Sequence, residues 1–140
     1  IPAYPAIAYA AKNCGSELGT RRHVPYRDTY KYYLIPWQQY QNGPEKLVSQ
    51  VFNKVPQDSI LYIDSTIISA FEYTQQVEGQ RPDVIVTDIN ENKNLWQEPE
   101  NKDKEFFTFS DVKGYYPVWA DAKLIEYSIS DDEHIYKMTR

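Results

Sequence analysis

Cysteine is almost absent from this chain: Cys14 stands alone in 140 residues. A single thiol closes no internal disulfide and builds no thiolate metal site, and it suits a reducing cytosol as well as an extracytoplasmic space. Histidine is nearly as scarce, with only His23 and His134. Nucleophilic triads place a histidine beside a serine or cysteine. His23 falls in a stretch without periodicity and His134 beside a polar turn, positions that favour solvent over catalysis. No Gly-x-Gly-x-x-Gly follows an apolar run and no Gly-x-x-x-x-Gly-Lys-Ser/Thr occurs, so neither standard phosphate cradle is present. A basic excess is missing as well. The net charge of −5 argues against nucleic acid, because phosphate binding needs a basic surface to displace counterions. Long apolar runs are also lacking. Ile1 to Ala11 is about half the length of a helical membrane span and carries two prolines, and it has no basic start of the kind a signal peptide shows. There is no internal repeat and no low-complexity segment.

What is present is the pattern of a small α/β domain, since 140 residues suffice for one compact core. Ile60 to Ile63 is a short apolar run of strand formers, entered from Val55-Pro56. A helix is expected to follow, covering most of 66–78, with Ile67, Ala70, Phe71, Thr74 and Val77 facing the sheet and Asp64 or Ser65 capping its first turn. Gly79 suits a left-handed helix end, Pro82 blocks further helix, and Val84-Ile85-Val86 opens a second buried strand. Strand, crossover helix and strand make one right-handed parallel βαβ unit. Ahead of it, Asn42-Gly43-Pro44 introduces a helix whose Leu47, Val48, Val51 and Phe52 recur at helical spacing. Behind it, Asn90 to Lys104 reads as a long polar loop pinned by Trp96. Phe106 to Phe109 reads as a third strand parallel to the first two. Leu124 to Ile129 and His134 to Met138 flank Ser130-Asp131-Asp132-Glu133 as a terminal β-hairpin. The fold class is therefore α/β: a small three-layer Rossmann-like domain with a short, mainly parallel sheet and a C-terminal β-hairpin.

The chain divides at about residue 29. Residues 1–29 read as an N-terminal or juxtamembrane linker, in which Arg21, Arg22 and Arg27 form a basic cluster suited to anionic lipid or simply to solvent. Residues 30–140 read as a single soluble domain. Ile1 is not an initiator methionine, so the chain is expected to be cut from something longer. Tyr30, Tyr32, Tyr33, Trp37 and Tyr40 could stack on sugar rings or fill a core. With 13 tyrosines along the chain, no single aromatic cluster stands out. Asp131, Asp132 and Glu133 are too close in sequence to wrap one cation and read as a solvated turn.

The segment Val55-Pro56, Ser59-Ile60-Leu61, Asp64, Tyr73, Gln75, Val77-Glu78-Gly79, Arg81-Pro82-Asp83-Val84, Val86 and Asp88 resembles a pattern in the C-terminal part of the DUF2723 membrane proteins, which include protein O-mannosyltransferases. The resemblance covers roughly 35 residues, and Gln76 to Val84 is its most specific run. After the first strand the chain departs from it, carrying Ile63-Asp64-Ser65-Thr66 where many relatives have an Asp/Asn-rich or aromatic-rich stretch. The resemblance implies the extracytoplasmic C-terminal domain of a multi-pass membrane protein that uses lipid-linked sugar. Catalysis then belongs to the membrane-embedded part, and this domain recognises a protein or glycan acceptor or supports that part. No cofactor or metal and no catalytic residue is expected in the fragment itself. A freestanding soluble enzyme or a nucleotide- or sugar-binding protein is the rival reading, and a carbohydrate-binding module a third.

In open α/β sheets, ligands sit beyond the carboxyl ends of the parallel strands. Asp64, Ser65, Thr66 and Asp88 lie there and are the candidate ligand-binding residues. A carboxylate at Asp64 would repel an anion and favour a neutral, hydroxyl-rich ligand. The competing role for the same residues is local: a helix cap and the start of a turn. Glu78, Gly79, Arg81, Pro82 and Asp83 are expected to form a structural corner in which Arg81 pairs with a carboxylate.

Overall fold

Ile60, Leu61, Tyr62 and Ile63 are all buried, and every other one faces the same side. A strand apolar on both faces must lie in the interior of a covered sheet. In the computed structural model, which describes residues 3–15, 18, 23–35 and 42–140, it does. Strand β1 (Ile60–Ile63) is flanked by β2 (Ile85–Asp88) and β3 (Phe106–Thr108), both parallel to it. The antiparallel hairpin of β4 (Lys123–Ser128) and β5 (His134–Thr139) joins through β5, which pairs antiparallel with β3. The order is β2-β1-β3-β5-β4. The sheet is thus mixed: three parallel strands extended by a hairpin, as the sequence indicates.

Four α-helices precede or follow β1 in the first part of the chain. They are α1 (Ala3–Asn13), α2 (Thr29–Leu34), α3 (Gly43–Lys54) and α4 (Ile68–Gln76). Leu47, Val48, Val51 and Phe52 of α3 and Phe71 of α4 pack on Leu61, Ile63, Phe107 and Phe109. Phe71 sits edge-on between Phe52 and Phe109, with ring centroids 5.4 and 5.3 Å away. The other face carries Ile60, Tyr62 and Phe106, covered by Trp96 of α5 (Asn94–Gln97) and by Trp119 and Ala120 from a 3-10 turn, Val118–Ala120. The topology explains these two layers. The chain moves from β1 outward to β2 and then back past β1 to β3. Crossovers of one hand that run in opposite directions lie on opposite faces of the sheet.

Four local expectations need correction. Helix α4 begins at Ile68, later than the sequence suggests, and its N-cap Ile67 has no side-chain cap. Asp64 instead forms a turn ahead of it: Oδ1 accepts the Thr66 N–H at 3.0 Å, and its carbonyl accepts from Ile67 and Ile68. Ser65 caps nothing and is exposed. Val77 does not face the sheet but is 65% exposed. The residue that turns inward at the helix end is Gln75, whose amide donates to the Arg81 and Val84 carbonyls at 2.9 and 2.7 Å. Asn90–Lys104 is not a plain loop but holds α5 and a 3-10 turn, Pro99–Asn101.

The helix-to-strand corner lies between α4 and β2. Gly79 is left-handed at φ +67°, and Arg81 also takes a positive φ, +47°. Arg81 Nε donates to both Asp83 oxygens, at 2.9 and 3.2 Å, and Nη2 adds a bond to Oδ2 at 2.8 Å. The same guanidinium donates to the carbonyls of Phe52, Val55 and Pro56. One side chain thus ties the end of α3, the entry to β1 and the entry to β2 together. The hydrogen bonds from Arg81 hold the Asp83 carboxyl down at about 2. The pair is half-buried rather than buried. Pro82 and Glu78 are exposed, and Glu78 accepts from Gln80 Nε2 at 3.0 Å.

Candidate crevice at the carboxyl ends of the strands

The chain leaves β1 toward β2 and leaves β3 toward the opposite side, where the hairpin lies. Such a divergence opens a crevice beyond the strand ends, the usual place for a ligand in an α/β sheet. Residues 23–28 run as a strap across this edge. They are fastened to the turn between β4 and β5, because both oxygens of Glu133 are committed to the strap. Oε1 accepts the Tyr26 N–H at 3.0 Å, and Oε2 meets His23 Nε2 at 2.6 Å. The Tyr26 hydroxyl donates to Ser130 Oγ at 2.9 Å. Val24 is buried in the core, with Tyr26 packed against it. Glu133 is therefore a fastening residue and not part of a purely solvated turn.

The strap also presses on the start of α3. A Cβ on Gly43 would lie 2.7 Å from the Tyr26 carbonyl oxygen, so only glycine lets the two segments approach so closely. Between strap, α2, the first turn of α3 and the β1–α4 turn lies a cavity of about 410 Å³. Arg27, Asp28, Lys31 and Tyr32 line one side, and Gly43, Leu47, Thr66 and Ile67 the other. Asp28 caps α2, its Oδ1 accepting the Lys31 N–H at 3.1 Å, while Oδ2 takes Lys12 Nζ at 3.3 Å. Burial raises the Asp28 carboxyl, but these hydrogen bonds outweigh it and leave the group below the usual range. The Arg27 guanidinium lies over the Tyr32 ring at 5.0 Å. Its Nε is buried and has no hydrogen-bond partner among the described residues.

No protein-family model, no curated protein and no solved structure matches the chain. Geometry alone therefore defines the site.

Of the four residues the sequence proposes for a ligand, only Thr66 lines the cavity. Asp64 is buried, with Oδ1 spent on Thr66, and Asp88 Oδ1 takes the Asn90 N–H at 2.9 Å. Asp88 stands opposite Ile63, one register step from Asp64, and each carboxylate shapes its own turn. Sequence reading missed Lys31 at this site, took Gly43 only as part of a helix start, and gave Arg27 only as part of a basic cluster suited to anionic lipid or to solvent. Arg21 and Arg22 of the basic cluster, and Trp37 and Tyr40 of the aromatic one, lie outside the described residues. His134 is half-buried, with Nε2 3.2 Å from the Tyr136 hydroxyl. Among the described residues no cluster of side chains could hold a metal ion, and no helix is long and apolar enough to cross a membrane.

Proposed function

We propose that this chain is the extracytoplasmic C-terminal domain of a larger DUF2723-type membrane protein, and that it supports the membrane-embedded part or recognises an acceptor without catalysing a reaction. The observation that carries this reading is α1. Nine of its eleven residues are apolar, yet only Ala8 is buried. Tyr4, Ile7 and Tyr9 are 44, 51 and 70% exposed. A helix with so much uncovered apolar and aromatic surface suits a headgroup interface, where tyrosine rings sit at the boundary of water and hydrocarbon. The charge distribution agrees. Residues 1–31 carry five cations (Lys12, Arg21, Arg22, Arg27, Lys31) against two acids (Glu17, Asp28), a net +3, which leaves −8 for the rest of a chain at −5. The basic end is drawn to anionic lipid and the acidic body is held off it. The resemblance over Gln76 to Val84 supplies the family. The corner those residues build gives their pattern a structural reason rather than a catalytic one.

Co-sedimentation with vesicles tests the membrane-facing surface. The chain is expected to pellet with phosphatidylglycerol-containing vesicles, to stay in solution with phosphatidylcholine alone, and to lose binding in the Ile7→Ser/Tyr9→Ser double variant. Equal binding by that variant, or none by the parent chain, would overturn the reading. The rival, a freestanding nucleotide-binding protein, requires saturable chemical-shift changes with ATP that inorganic phosphate does not reproduce.

A further inference from the structure

The cavity behind the strap has a chemistry that the reading above does not use. Its walls carry two cations beside one acid: Arg27 and Asp28 come from the strap and Lys31 from α2, and the first turn of α3, which holds Glu45, presents the positive end of a 12-residue helix. The N-cap of that helix, Asn42, makes no side-chain hydrogen bond to its first turn. A buried guanidinium Nε–H without an acceptor has lost water and gained nothing in return, and among the described residues Arg27 carries one. Arg81 shows what satisfaction of the same group looks like in this molecule, with all three of its nitrogens bonded. Asp28, the acid on the cavity wall, is already committed to the Lys31 amide and the Lys12 ammonium.

We propose that this cavity binds a phosphate group, with Arg27 as the principal donor, Lys31 as a second cation, and the first turn of α3 facing the same anion. A tetrahedral anion brings several acceptor oxygens, which suits donors converging from a planar guanidinium, an ammonium and a helix end. At about 410 Å³ the space exceeds what phosphate alone fills. The remaining walls, Tyr32, Leu47 and Ile67, suit a small organic body attached to it. That body belongs either to a soluble phosphomonoester or to a lipid headgroup, since α1 and its lysine stand beside the strap through the Lys12–Asp28 pair. The occupant is anionic, in contrast to the neutral ligand expected from Asp64. The difference arises because the cavity wall is formed by Arg27 and Lys31, while Asp64 Oδ1 is turned to the Thr66 amide.

NMR titration of the 140-residue chain with inorganic phosphate and glycerol 3-phosphate at constant ionic strength tests this, with vesicles containing phosphatidic acid as a parallel arm. Saturable shifts at Arg27, Gly43 and Glu45 are expected with phosphate and not with chloride. Affinity should fall about tenfold in Arg27→Gln, the loss of a charge-assisted donor pair, and several-fold in Lys31→Gln, with no change in Lys137→Gln. Binding of the soluble esters identifies a free ligand. Arg27-dependent binding seen only with phosphatidic acid vesicles identifies a headgroup, and retention of that dependence in the Ile7→Ser/Tyr9→Ser background separates it from α1 insertion. Unchanged affinity in a folded Arg27→Gln protein, or shifts that chloride reproduces, overturns the proposal. If Arg27→Gln fails to fold, Lys31→Gln decides it alone, because an unaltered affinity there is equally fatal.

Discussion

Arg81 and Arg27 stand at opposite edges of one sheet and differ in how fully they are used. At the amino edge, every nitrogen of Arg81 has a partner, and three chain segments hang on it. At the carboxyl edge, Arg27 leans on a tyrosine ring and leaves a buried N–H without an acceptor. A satisfied polar network stabilises the fold, whereas a partly satisfied one stores a cost that something else must relieve. The amino edge is thus built to stay as it is. The carboxyl edge is built to receive.

The sharpest way to break this contrast is to damage what both edges share. Phe71 is fully buried between Phe52 and Phe109, and Phe71→Ala should cost roughly 3–5 kcal/mol in chemical denaturation. A loss below about 1 kcal/mol would mean that the α4 face does not hold the sheet. Next in size is Arg81→Ala, expected to cost about 2–3 kcal/mol because it takes a charged donor from the Phe52, Val55 and Pro56 carbonyls and from the Asp83 carboxylate at once. Phosphate affinity should not change in this variant. Arg81→Lys should recover little, because an ammonium cannot reproduce the planar fork. Gly43→Ala should follow at about 1–3 kcal/mol, from the clash with the Tyr26 carbonyl. Unlike Arg81→Ala, it should also displace the strap, visible as shifts at Tyr26 and Ser130.

Acid should act on the amino edge more gently. The folded pKa of Asp83 is near 2, below the ~3.9 of an unfolded aspartate. Its contribution is complete above about pH 4 and is lost as pH falls toward 2. Because both side chains are partly in water, the amount is about 1 kcal/mol. Urea midpoints at pH 5 and pH 2.5 should converge between the parent and Asp83→Asn as the pH falls. The smallest effect belongs to Arg27→Gln, which should alter stability by no more than about 1 kcal/mol, since it removes an unsatisfied donor along with a ring contact. A loss as large as that of Arg81→Ala would erase the distinction between the edges.

The two edges also differ in how well the sequence announces them. The βαβ unit is legible because its signals are local: an apolar run, a helical spacing, then Gly79 and Pro82 within 30 residues. The pairing of Arg81 with a carboxylate two residues away, the face of α3 and the terminal hairpin are readable for the same reason. Val77 misleads because a helical stripe continues on paper after the helix has ended. Asp64 misleads because an Asp before a helix can cap it or turn the chain ahead of it, and here it turns. The strap is invisible for a different cause. Residues 23–28 have no periodicity, and the partners that fix them, Ser130 and Glu133, lie more than a hundred positions away. Thr66 is the point where the readable site and the actual cavity touch.

The fastening of Tyr26 to Glu133 spans 107 positions in sequence, and this has a consequence for how the molecule assembles. Contacts between distant parts of a chain carry a large loop-closure cost and tend to form late. The βαβ unit can collapse from neighbours, but the strap lacks its partners Ser130 and Glu133 until the hairpin has docked beside β3. During synthesis the strap leaves the ribosome long before residue 133 does, so the crevice stays open while the rest of the sheet gathers. Its completion is a report that the chain has been made as far as the β4–β5 hairpin, and Glu133→Ala should leave a folded sheet with the strap released from its carboxyl edge.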